Sequence, residues 1–201
     1  MFVLLVVVFI DLVGFGIIIP LLPFYAETFN ASPQKVTMLM AVYSLSQFIS
    51  APIWGGLSDK YGRRIIIWCT LFGTVVAYVL LAFAESLSAL FIARSFAGLM
   101  AGNIVVAQAY IMDITEKGDR AKAMGYFGAA FGLGFIIGPA VGGILTGTDP
   151  NNPSVFLPPI AAAILSFIAL IIALMSLKET KILINDFRKK RLQNLIQALS
   201  S

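Results

Sequence analysis

Histidine is absent from this 201-residue sequence, and cysteine occurs once, as Cys69. With no imidazole and a single thiol, an intrachain disulfide framework and a His/Cys metal site are both excluded. Charge is scarce as well: Asp, Glu, Lys and Arg make up 12% of the chain, against about 25% in an ordinary soluble domain. Apolar and polar residues do not alternate at period two, which excludes a β-barrel. What is present is apolar, with 59% hydrophobic residues and a mean hydropathy of +0.93. The composition is that of an all-α integral membrane protein.

Crossing a hydrocarbon core about 30 Å thick takes roughly 20 apolar residues at 1.5 Å each. Six runs meet that length, at approximately 2–25, 36–57, 65–84, 89–112, 122–146 and 155–177. The expected organisation is a six-helix membrane unit over 1–177 and a basic tail over 178–201. In the tail, Leu183, Phe187, Leu192, Leu195, Ile196 and Leu199 follow helical spacing among Arg188, Lys189, Lys190 and Arg191. It reads either as an amphipathic helix lying on the membrane surface or as a solvated linker. Ser32-Pro33 reads as a helix start, and Asp149 to Pro153 as a turn-rich loop. The first run has no basic flank or cleavage-site pattern, so it is expected to stay as a helix rather than leave as a signal peptide.

The net charge of +4 would suit a polyanion, but the positions of the basic residues point elsewhere. Lys60, Arg63 and Arg64 follow the second run, Lys117, Arg120 and Lys122 follow the fourth, and the remainder, apart from Lys35 and Arg94, follow the sixth. Twelve of the fourteen Lys and Arg therefore fall on one side, placing both termini in the cytoplasm. This bias orients the chain and calls for no nucleic acid.

Several residues could carry chemistry. Asp11 lies about ten residues into the first run, roughly 15 Å deep and near the midplane. Ionising a carboxylate there is costly, which suits reversible protonation; the alternative is a neutral Asp hydrogen-bonded to its neighbours. Arg94 enters the fourth run from the outer side and can reach toward the same depth, or can snorkel outward. Such a guanidinium beside Asp11 would oppose its desolvation and leave a group that cargo or conformation could tip either way. Tyr43, Gln47, Asn103 and Gln108, with Tyr78 and Tyr110, are candidate cavity-lining residues, or else simple bridges between helices.

Three stretches carry a resemblance. GGLSDKYGRR, Gly55 to Arg64, closely resembles the signature loop between helices 2 and 3 of major facilitator superfamily transporters, through Gly55, Leu57, Asp59, Gly62, Arg63 and Arg64. RSFAG, Arg94 to Gly98, resembles that family's helix 4 motif. GLGFIIGPAVGG resembles the antiporter motif of helix 5 through Gly134, Gly138, Pro139, Gly142 and Gly143, where missing side chains let a helix approach closely. The surroundings of Asp11, with Gly14, Gly16, Pro20 and Pro23, are similar to helix 1 of the drug:proton antiporters, tetracycline efflux proteins among them.

The resemblance implies one six-helix half of a twelve-helix fold, the halves being parallel repeats. It extends to the LKET segment, Leu177 to Thr180, which is similar to the family's exit into the central linker. It further implies proton-coupled efflux of small amphipathic drugs by alternating access, in a bacterial inner membrane and with no cofactor. Asp11 would carry the proton and Arg94 would modulate it. Asp59, Arg63 and Asp113 would form a conformational latch; a solvated rim is the plainer reading of the same charges. A second half would come from a separate chain, leaving this one an inactive fragment alone, or from a second copy in a parallel two-fold dimer. In that dimer Asp59 of one copy is expected near Ala123 of the other. A non-transporting scaffold or regulator remains a third reading. An enzyme is least expected, because no nucleophile has a partner and no metal-ligand cluster exists.

Overall fold

The computed structural model describes residues 1–147 and 154–180. The readings at Asp149 to Pro153 and along the tail beyond Thr180 fall outside the described residues. The elements are α1 (Phe2–Glu27), α2 (Pro33–Tyr61), α3 (Arg63–Ala82), α4 (Leu87–Met100), α5 (Asn103–Ile114), a short 3₁₀ turn (Lys117–Asp119), α6 (Arg120–Thr146) and α7 (Leu157–Ser176). Six spans are long and apolar enough to cross a membrane, α4 and α5 together forming the fourth. No strand occurs among the described residues.

Local chemistry sets the helix ends. Ser32 is extended and Pro33 opens α2, where a missing N–H costs nothing. Ser86 Oγ accepts from the Ala89 N–H at 3.1 Å and caps α4. Between α2 and α3 the chain turns on one residue, Gly62, at φ +108, a conformation that a Cβ would strain.

The fourth span departs from the continuous helix expected over 89–112. It breaks at Ala101–Gly102, where the Ala101 N–H bonds back to Gly98 O in a tightened turn. Carbonyls freed inside a membrane need partners, and α2 supplies them. Trp54 Nε1 donates to the freed Leu99 O at 2.6 Å, and Ser50 Oγ adds a second donor to Gly98 O at 3.2 Å. The approach depends on glycine: a Cβ on Gly102 would fall onto the Trp54 ring, and one on Gly98 onto the Tyr43 carbonyl.

Neighbours run in the order α6, α1, α7, α3, α4, α2, so α2 and α6 end the arc. α1 presses against α6 most closely where Gly16 faces Gly138, and a Cβ built on Gly138 would lie 2.6 Å from Gly16 Cα. One buried cluster, including Leu4, Val8, Leu12, Ile67, Leu71 and Ile111, fills the end carrying the basic loops. A second, with Ile17, Leu22, Leu39, Tyr78 and Leu90, fills the other end. Asp11 sits where the two meet, one position before Leu12.

Candidate functional site

Asp11 is 7% exposed and points into the six-helix unit rather than out of it. Two donors hold its carboxylate: Asn103 Nδ2 donates to Oδ2 at 2.5 Å and Ser166 Oγ to Oδ1 at 3.2 Å. The helix break places the first donor. Because α5 restarts at Asn103, its side chain reaches α1 while its own Oδ1 accepts the Ile104 N–H at 2.8 Å. Ser166 comes from α7, which packs beside α1 at this level, with Ser166 Oγ next to Gly14.

Two narrow cavities open on this pair. One, about 10 Å³, is lined by Leu4, Val7, Ile67, Leu71 and Ala107 and lies toward the basic end. The other, about 20 Å³, is bounded by Phe15, Tyr43, Thr74, Tyr78 and Ala97. Each is on the scale of a single water, which needs about 10–15 Å³. Of the sequence-predicted cavity residues, Tyr43 and Asn103 line these walls and Tyr78 joins them; Gln47 and Gln108 are half-buried and belong to neither. Tyr110 donates instead to the Lys178 carbonyl at 2.7 Å.

Arg94 is 3% exposed, but it does not pair with Asp11. Its guanidinium carbon lies 4.3 Å from the centre of the Tyr43 ring, and its Nε and Nη1 have no hydrogen-bond partner. Tyr43 therefore stands between the two, carrying the cation on its face and walling the Asp11 cavity.

At the basic end, the three charges that sequence reading grouped do meet. Arg63 Nη2 is 2.6 Å from Asp59 Oδ1 and its Nε is 3.0 Å from Asp113 Oδ2. Ser58, buried inside the loop motif, accepts from Arg63 Nη1 and donates to Gly55 O at 2.7 Å. Arg64 takes no part. It turns away to lie 4.1 Å over the Trp68 ring, with Nη2 at 3.4 Å from Leu174 O. Gly55 and Gly56 face open space.

Glu179, in the LKET segment, was not singled out from sequence. Its Oε1 accepts the Arg63 backbone N–H at 3.0 Å, capping α3 and favouring the positive end of the helix dipole. Nothing in the local pattern marks it, because the contact spans 116 positions. Ser166 and Thr74 were missed for a similar reason, being lone hydroxyls in apolar runs.

The antiporter-motif glycines divide by face. Gly134, Gly138 and Gly142 meet Leu12, Gly16 and Ile17 of α1, and Pro139 lies beside Gly16; Gly143 faces open space. Ala123, expected at a dimer contact, is buried inside the unit beside Phe127 and so cannot present itself to a second chain.

A sequence model of the Major Facilitator Superfamily matches residues 4–200. The chain belongs to this superfamily. Among similar members, the class G tetracycline resistance protein of Vibrio anguillarum is 39% identical over 179 residues, 88% of this chain and 44% of that protein. The class H tetracycline resistance protein of Pasteurella multocida is 36% identical over 182 residues, 89% of this chain and 44% of that one. Multidrug resistance protein 1 of Bacillus subtilis (strain 168) is 34% identical over 178 residues, 88% and 44% respectively. The crystal structure of the human organic anion transporter MFSD10 (TETRAN) superposes with a TM-score of 0.77 at 25% identity, covering 89% of this chain and 47% of that one. The chain thus spans less than half the length of the superfamily members it matches. Its architecture is one six-helix half of their fold, and it is an integral membrane protein.

Proposed function

We propose that this chain is the N-terminal half of a secondary active transporter, rather than an enzyme, that exports small amphipathic drugs in exchange for protons. Alternating access would rock this unit against a second around a midplane site. The observation that carries the reading is Asp11: a carboxylate buried at mid-span, with neutral donors but no cation paired to it among the described residues, and beside two water-sized cavities. A group so placed can accept and release a proton without breaking an ion pair. Tetracycline and multidrug resistance proteins among the relatives support the cargo class.

Arg94 and Tyr43 would sense the charge of Asp11 across one aromatic ring. Asp59, Arg63 and Asp113 would act as a latch at the cytoplasmic rim, the basic loops lying inside. A second unit would seat on α2 and α6, whose apolar stretches are each 17% buried, against 44–56% for the other four spans. It is either a separate C-terminal half or a second copy of this chain.

The test is Asp11→Asn, which keeps shape and removes titration. In vesicles holding the complete transporter, the variant should lose drug-driven proton movement while staying folded; undiminished coupled flux would remove Asp11 from the mechanism.

A further inference from the structure

We propose that the lipid-facing seam between α3 and α7, at the basic end, binds the headgroup of an anionic phospholipid through Arg64 and Lys178, with Trp68 at the level of the acyl esters. The inference rests on the membrane-spanning reading and the inward placement of the basic loops, and not on what is transported.

Consecutive residues on a helix point about 100° apart, and here that angle separates two functions. Arg63 turns inward to two carboxylates. Arg64 turns to the seam, where no carboxylate among the described residues meets it. Its one acceptor, Leu174 O, is long at 3.4 Å. Arg64 Nε and the neighbouring indole N–H of Trp68 are buried between the two helices and have none. The Arg64 charge is thus met in the seam by a backbone carbonyl and an indole ring but by no anion among the described residues. Glu179, the nearest acidic side chain along α7's exit, is already committed to the α3 N-terminus.

The depth and the walls suit a lipid. Arg64 is the second residue of α3, and Lys178 lies two residues beyond the end of α7, exposed, with its carbonyl fixed by Tyr110 at 2.7 Å. Both charges therefore stand at headgroup level, and Trp68 is one turn deeper, where tryptophan anchors are favoured. The seam is edged by exposed Ile65, Leu174 and Met175 near the rim and by exposed Phe72 and Ile171 deeper in, an apolar track for acyl chains. Free phosphate would use the two cations but leave that track unused. A phospholipid uses both.

The full chain would be extracted from bilayers of phosphatidylcholine mixed with phosphatidylglycerol, and the lipid kept by each molecule weighed by native mass spectrometry. Wild type should retain phosphatidylglycerol over phosphatidylcholine, and Arg64→Gln should lower that preference about fivefold, the scale of one interfacial charge. Lys178→Gln should act in the same direction and carries the test if Arg64→Gln does not fold. Lys117→Gln, at the same rim but away from the seam, should change nothing, and millimolar inorganic phosphate should not displace the lipid. Equal retention in the Arg64 and Lys178 variants, an equal loss in Lys117→Gln, or displacement by phosphate would overturn the site.

Discussion

Asn103 donates its side-chain amide to Asp11 across 92 positions of sequence, at 2.5 Å. The bond exists because the fourth span is broken: a continuous helix through Ala101 and Gly102 would not start a new turn at Asn103. It joins the restart of α5 to the middle of α1, and both water-sized cavities lie on it.

This pairing should be measurable in stability. Leaving a buried acceptor short of one donor costs about 1–3 kcal/mol. Asn103→Ala should lower the thermal midpoint in detergent, and a double-mutant cycle with Asp11→Ala should show coupling on the order of 1 kcal/mol or more. Additivity of the two single changes would mean the bond contributes nothing.

The glycine face of α6 gives a paired contrast. Gly138→Leu places a branched side chain where even a Cβ would come within 2.6 Å of Gly16 Cα. Overpacking of this kind costs roughly 1–3 kcal/mol or more, so the variant should unfold at lower temperature or assemble poorly. Gly143→Leu, five positions along and facing open space, should be tolerated. Equal behaviour of the two would show that α1 does not pack on this face.

Gly62 should resist replacement for two separable reasons. Its φ of +108 is strained for any residue with a Cβ, and that Cβ would meet the Glu179 carboxylate, 2.6 Å from Oε1. Gly62→Ala should therefore destabilise by about 1–3 kcal/mol. Adding Glu179→Ala should recover only part of the loss, since the backbone strain stays; complete recovery would leave collision as the whole cost.

Pairing with a second copy can be tested directly. Asp59, with its side chain 66% exposed, and Lys122, exposed at the start of α6, lie on the two helices that end the arc. In a Cys69→Ser background, Asp59→Cys and Lys122→Cys should crosslink between chains, and reciprocally, if the copies pack about a two-fold axis. A protein that stays monomeric in lipid would assign the second unit to a separate C-terminal half.

Much of this protein was decided by the sequence alone. Six apolar runs of bilayer length admit little besides six helices, because backbone groups in hydrocarbon must bond within their own segment. The loop from Gly55 to Arg64, with its glycine at the turn and its charges at fixed spacing, identified the family and the meeting of Asp59 with Arg63, which stand four positions apart on either side of the Gly62 turn. Only the tertiary structure could decide which way each polar group faces. The break at Gly102 depends on room made for Trp54 of another helix, and the separation of Arg94 from Asp11 depends on where the Tyr43 ring sits. Glu179 reaches Arg63 only because α7 returns beside α3. Hydropathy reports how deep a residue lies, and helical periodicity reports which residues share a face. Neither contains the rotation of one helix against the next, and in a uniformly apolar solvent that rotation is set by the fit of small residues and buried hydrogen bonds between helices.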